Sequence, residues 1–413
     1  MKEQLLRKFL RYVSVTSQSN AANKVVPSSR GQRELARLLM KELEALGFQD
    51  IEISEHSVVT AHLPSNLPEG KKVATVGWVA HLDTVDVNLN ARIHPQVIRN
   101  YQGGDICLNK ELDRWIRVAE HPEVEDYIGD DLVVTDGTSV LGADNKSAIA
   151  NVMTAMETIV RENRPHGTIY VCFVPDEEIG LLGAKEIDFS KFPVDYAYTI
   201  DCCALGEVVY ETFNAGSATL KVQGVTAHPM SSKGVLVNPI LVAHDFIATL
   251  DRTQTPECTE GTEGFIWVNG IQGNASSATV SLKLRDHNLA GYKAKKAYLE
   301  QSARLLRARH PRAKIELTMS DVYGNIHDAV TERNKACIDQ LYRALRQLRI
   351  EPKTIAMRGG TDGSFISTKG ILTPNYFTGA LNFHSYCEFQ PLGAMEKSTQ
   401  VTLKLVDLIA NAK

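Results

Sequence analysis

Apolar residues recur along this chain with two alternating periods. In SSRGQRELARLLMKELEALGF, residues 28–48, leucines 35, 38, 39, 43 and 46 fall at helical spacing and Gly47 ends the run, which predicts a helix. KKVATVGWVAHLDT, residues 71–84, is rich in β-formers and apolar on both faces, the pattern of a strand covered on both sides. Residues 87–130, with scattered Pro, Asn and Gly, read as a long irregular stretch. DNKSAIANVMTAMETIVREN then predicts a helix with Ile149, Met153, Met156 and Val160 on one face. GTIYVCFVPDEE and DYAYTID supply two further buried strands. This alternation is that of an α/β domain with helices over its sheet.

Helical patterns return at 329–348 and 392–411. Between the two blocks the order is strand, helix, strands, helix, strand, which predicts a small α+β sandwich inserted into the α/β domain. We place the main domain at residues 1–213 and 323–413 and the insert at 214–322. A chain of 413 residues with 43% hydrophobic content has ample core for this arrangement.

Charge and cysteine usage narrow the chemistry. A formal net charge of -4 and a pI near 6.3 give no basic field for nucleic acid or an anionic membrane. The N-terminal residues lack a signal-like apolar run and no segment is long enough to span a bilayer, so the expected location is the cytoplasm. Seven cysteines without a CxxC pair point to reduced thiols rather than a disulfide framework or zinc ribbon.

The candidate chemistry lies where apolar strands end. FVPDEEIG leaves a strand and sets Asp176, Glu177 and Glu178 side by side, a costly clustering unless a cation answers it or the turn is solvated. Adjacent residues leaving a strand point in opposite directions, so one acid can bind a cation while the other faces substrate. In VAHLDT, His81 offers a ligand nitrogen and Asp83 a partner to orient it; a core histidine beside a capping aspartate fits as well. GTSVLGADNKSAIA is not a phosphate loop, because Lys146 does not directly follow the second glycine. Asp144 there either caps the next helix or bridges two metals. Asp201 in YTIDCC and His384 in LNFHSY complete a set of two nitrogens and several carboxylate oxygens suited to a pair of zinc ions.

With AHLDTVD, VTDGTSVLGADNKSAIA, PDEEIG, YTID, TAHP, TEGTEGF, LRDH, RGGTDGS and TPNYFTGALNFHSYCEF in one order, nearly the whole chain resembles the peptidase T family of di-zinc exopeptidases, aminotripeptidases. The resemblance implies that His81, Asp144 and Asp201 hold one zinc and Asp144, Glu178 and His384 the other, with cobalt or manganese as possible substitutes. It implies Glu177 as general base, Asp83 as the partner of His81, His228 of TAHP as an oxyanion donor, and Arg285 of LRDH as the clamp on the substrate's terminal carboxylate. Arg358, opening RGGTDGS, joins the substrate-binding set. Short peptides, tripeptides foremost, are the implied substrates, and a homodimer through the inserted domain the implied assembly. The same metal chemistry would serve a dipeptidase or an N-acyl amino acid amidohydrolase, and an inactive peptide-binding protein is the reading from another class. Asn145 stands where family members carry aspartate, and Cys202 and Cys203 stand where they carry small residues, which leaves peptide length open.

Overall fold

The computed structural model describes residues 1–412, which form two compact units. Among these, the first comprises residues 1–210, 330–355 and 361–412; the second comprises 211–329 and 356–360.

An eight-stranded mixed sheet organises the first unit. Its order is Gln49–Ile53, Val59–Leu63, Ile169–Val174, Val76–His81, Tyr196–Cys202, Asn375–Phe377, Glu207–Glu211, Lys353–Ala356. The four central strands, from Ile169–Val174 to Asn375–Phe377, run parallel. Their interiors carry no polar alternation: Trp78, Val79, Val171, Phe173, Tyr198 and Ile200 are all fully buried. Each such side chain stabilises the fold by roughly 1.5–3 kcal/mol. Mostly parallel strands under helices are the architecture the apolar runs predict.

Three details differ from the sequence reading. The strand expected from residue 71 begins only at Val76. The helix Ala143–Arg161 is buried on nearly every side through Met156, whereas Val160, expected inside, is exposed and Ile159 takes its place. The stretch 87–130 is not irregular: it holds strands Pro95–Ile98, Ile106–Asn109 and Arg114–Ile116 and a short 3-10 turn at Pro122–Tyr127. Pro95–Ile98 pairs with Leu132–Thr135, which in turn pairs with Gln390–Pro391. Tyr101, Ile106, Leu108, Ile116 and Val124 of this stretch build a core around Cys387 and Phe389. It therefore supports the chain segment that follows His384.

The second unit is a four-stranded antiparallel sheet in the order Phe265–Gly273, Ser277–Asp286, Asn214–Gln223, Lys314–Tyr323. Alternate residues Ala278, Val280, Leu282 and Leu284 turn inward and meet Phe246 of helix Pro239–Ala248 and Leu299, Ala303 and Leu306 of helix Leu289–Arg309. The strand–helix–strands–helix–strand order matches the pattern read from the sequence.

Candidate metal centre

Parallel strands leave their carboxyl ends on one edge of a sheet, and open α/β sheets gather chemistry there. His81 is the last residue of Val76–His81, Glu177 and Glu178 follow Ile169–Val174, and Asp201 is the penultimate residue of Tyr196–Cys202. Asp144 enters from the start of helix Ala143–Arg161, where Gly142 adopts φ +69° and a Cβ would meet Thr84 Cγ2 at 2.8 Å. Only glycine allows so tight an entry. His384, also at positive φ, arrives in a turn near the end of the chain.

Asp144 lies at the centre. Its Oδ1 is 2.9 Å from His81 Nε2 and its Oδ2 is 3.1 Å from His384 Nε2. Asp201 Oδ1 lies 4.0 Å from His81 Nε2, and Glu178 Oε1 lies 3.0 Å from His384 Nε2. Two clusters thus share one carboxylate: His81, Asp144 and Asp201 on one side, Asp144, Glu178 and His384 on the other. Candidate ligand atoms of His81, Asp144 and Glu178 all fall within 4.8 Å of one another. Asp144 has non-helical φ/ψ at this start, and its two carboxylate oxygens face imidazoles rather than a backbone N–H.

The electrostatics follow from this crowding. Burial opposes charge on His81, but hydrogen bonds to Asp144 and Asp83 outweigh it and hold the imidazole well above its ordinary value. Asp144 and Glu178 raise His384 to about 10. Burial also works against the charge of Asp144, yet the two histidines hold its carboxyl far below the ordinary range. Desolvation, then the charge of Asp144, raises Glu178 to about 7 and pushes Asp201 well up. Glu177 is raised chiefly by desolvation. Such opposed shifts mark a site where charge is arranged for use.

The donor set fits divalent cations. Among the described residues no lysine or arginine forms an ion pair with Asp144, Glu178 or Asp201, whose salt-bridge partners are histidines. Glu178 Oε1 is buried and makes no hydrogen bond of good geometry, despite the nearby imidazole. His81 Nδ1 faces the Asp83 carbonyl at 3.1 Å and its carboxylate at 3.3 Å, which assigns the N–H to Nδ1 and turns the Nε2 lone pair toward the acids. Two imidazole nitrogens and carboxylate oxygens are zinc ligands by type.

Around this core lie supporting contacts, of which the sequence reading held only the pairing of Asp83 with His81. Asp83 accepts the N–H groups of both Glu177, at 3.0 Å, and Glu178, at 3.2 Å, so it holds the acid turn as well as His81. Asp176 is no solvated flank. It is buried and accepts from Ser28 N–H and Oγ and from Gln32 Nε2, while its own N–H donates to Gln32 Oε1. Asn145 ties three elements together: its amide donates to the Ile200 carbonyl and Asp201 Oδ1 and accepts from His81 N–H. Buried Glu388 accepts three N–H groups from Leu141, Gly142 and Asp144. Buried Asp362, in RGGTDGS beside the expected Arg358, leaves Oδ1 without a hydrogen-bond partner. The only signal for these was a polar residue type inside an otherwise apolar segment.

Cys202 is buried and Cys203 nearly so, and desolvation raises both thiols, which keeps them protonated beside the site.

His228, Arg285 and Arg358 all belong to the second unit. His228 is exposed, and its Nδ1 accepts from Met230 N–H, leaving Nε2 as the donor. Arg285 donates through Nη1 to the carbonyls of Gly216 and Leu284 and stacks over Tyr323. Arg358 is committed to the loop at 259–263 through Gly261 O, Glu263 O and Thr259 Oγ1, and stacks over Phe213 and Phe265.

Residues 141–408 match the family description Peptidase family M20/M25/M40. A Peptidase T-like protein of Yersinia pestis is 50% identical over 402 residues, covering 97% of each chain. Peptidase T of Fusobacterium nucleatum is 41% identical, covering 98% of each. Among solved structures, a tripeptidase from Staphylococcus aureus aligns with all of this chain and 99% of its own at TM-score 0.77 and 21% identity.

Proposed function

The chain belongs to the M20/M25/M40 peptidases, and on that premise we propose that it is a zinc aminopeptidase that removes the N-terminal residue of short peptides, tripeptides foremost. It is a metal-dependent exopeptidase by its family. The observation that carries the metal reading is the Asp144 carboxylate, with one oxygen directed at each of two imidazoles. In this proposal His81, Asp144 and Asp201 hold one zinc, and Asp144, Glu178 and His384 hold the second. Bound there, the metals polarise the scissile carbonyl and acidify the attacking water.

The side chains do the rest. Glu177, fixed through its N–H to Asp83, takes a proton from the water as its oxygen attacks the carbonyl carbon. It returns that proton to the leaving amine nitrogen as the C–N bond breaks, and is a carboxylate again. A carboxyl raised by desolvation is a stronger base than a solvated one, which suits this task. His228 Nε2–H serves as the oxyanion donor, and the remaining N–H groups of Arg285 take the peptide's terminal carboxylate. Arg358 acts through the loop it holds at 259–263.

The protein works as a cytoplasmic homodimer in this reading. No helix among the described residues is long and apolar enough to cross a membrane. Strand Phe265–Gly273 is a sheet edge with Trp267 and Ile271 exposed, and Ile240, which a Cβ on Gly273 would meet at 2.9 Å, is exposed beside Leu241. An apolar edge of this kind invites pairing with a second copy.

Identity is higher to the Peptidase T-like protein than to Peptidase T itself, so peptide length is the point to test. Purified protein should hydrolyse Ala-Ala-Ala, lose that activity on chelation and regain it with zinc, and leave Ala-Ala and N-acetyl-Ala largely intact. Cleavage of either short substrate instead would retain the metal chemistry and overturn the tripeptide assignment.

A further inference from the structure

Four residues after His384, Glu388 points both carboxylate oxygens at the backbone around Asp144. Oε2 accepts the N–H of Leu141 at 2.7 Å and of Gly142 at 2.9 Å, and Oε1 accepts the N–H of Asp144 at 3.1 Å. Gly142 has no side chain to accept a hydrogen bond, and Asp144 and Asn145 depart from helical φ/ψ before the regular helix begins, so the buried N–H groups of this entry need acceptors from elsewhere. An acid more than 240 residues away supplies them. One turn further in, Ser147 Oγ donates to Gln390 Oε1 at 2.5 Å, so the same two segments are fastened twice.

We propose that Glu388 is a positioning residue of the metal centre: by joining the 141–144 backbone to the segment that carries His384, it fixes the bridging carboxylate and the histidine relative to each other. The inference rests on the reading of Asp144 and His384 as metal ligands. Glu388 touches neither substrate nor metal; it acts through the two residues it aligns. Partners that orient ligands in this way tune metal affinity as well as stability.

Glutamine is the sharpest substitution, because it has the same shape but only one acceptor oxygen. If that oxygen keeps the two bonds to Leu141 and Gly142, the amide N–H group is turned against the Asp144 N–H, and the bridging residue is the one released. Wild type, Glu388→Gln and Glu388→Ala would be compared by zinc affinity in chelator competition, by thermal unfolding with and without zinc, and by kcat and KM on Ala-Ala-Ala. We expect Glu388→Gln to bind zinc about 10–100-fold more weakly, to gain less in Tm from zinc than wild type, and to lose kcat with little change in KM. A folded Glu388→Gln that loses Tm yet keeps wild-type zinc affinity would overturn the inference and leave Glu388 a backbone support alone. If wild type itself bound no zinc, the ligand reading would fall first and this inference with it. Should Glu388→Ala not fold, the glutamine variant decides.

Discussion

Glu177 and Glu178 are neighbours in sequence with different duties, and their surroundings separate them. Glu178 Oε1 lies against His384, whereas Glu177 forms no ion pair among the described residues. A Glu177→Gln variant should therefore bind zinc as wild type does while turnover falls about 10²–10⁴-fold, the usual contribution of a general base. That corresponds to about 3–5 kcal/mol of transition-state stabilisation. Near-wild-type turnover with metal bound would remove Glu177 from the chemistry. His384 gives a second test at this scale. The carboxylates of Asp144 and Glu178 beside it raise its proton affinity from 6.5 to about 10, and in the proposed centre zinc would take the same nitrogen. Zinc affinity should rise as pH rises across that window, because protons compete less. Stability of the chelated protein should move oppositely: a raised histidine stabilises fully below 6.5 and loses that contribution as pH climbs toward about 10. Chelator competition and Tm at about pH 6.5 and about pH 9 check both signs, and a flat profile would contradict them.

At the scale of elements, what was legible depended on periodicity. The central strands were read from unbroken apolar runs because a parallel strand is buried on both faces. The inserted sandwich was read from alternation, as in Ser277–Asp286, where inward Ala278, Val280, Leu282 and Leu284 alternate with more exposed positions. Residues 87–130 escaped because their strands are three or four residues long, too short to show a period. Val160 was misplaced because a helix buried nearly all round carries no single apolar stripe to extrapolate. The candidate ligands were legible as residue types at strand ends together with their resemblance to a family. Their supports were not: Asp176 finds Ser28 and Gln32, and Glu388 finds Leu141, across separations of 144 to 247 residues that no local pattern encodes. Arg358 shows the limit from the other side, since its type suited an anion while its Nη atoms satisfy carbonyls and a hydroxyl of the 259–263 loop.

For the whole molecule, the testable matter is assembly. The exposed side chains of Ile271 on the edge strand and Leu241 on helix Pro239–Ala248 are the surfaces we assign to the homodimer. An Ile271→Glu, Leu241→Glu double variant should run as a monomer by size-exclusion chromatography with light scattering. Each protomer should still fold, because neither side chain belongs to the buried core of its own chain. A variant that remains dimeric, or a wild type that is monomeric, would overturn the assignment. The order of the ligands along the chain has a further consequence. His81 is made well before its partner across Asp144, His384. At roughly 5–20 residues per second of synthesis, about 15–60 s separate the two. During that interval the proposed ligand set would lack its second imidazole. In the proposed centre a fragment lacking the segment around His384 would lose the nitrogen ligand on the Glu178 side while keeping His81, so its activity would vanish even where the central sheet is complete.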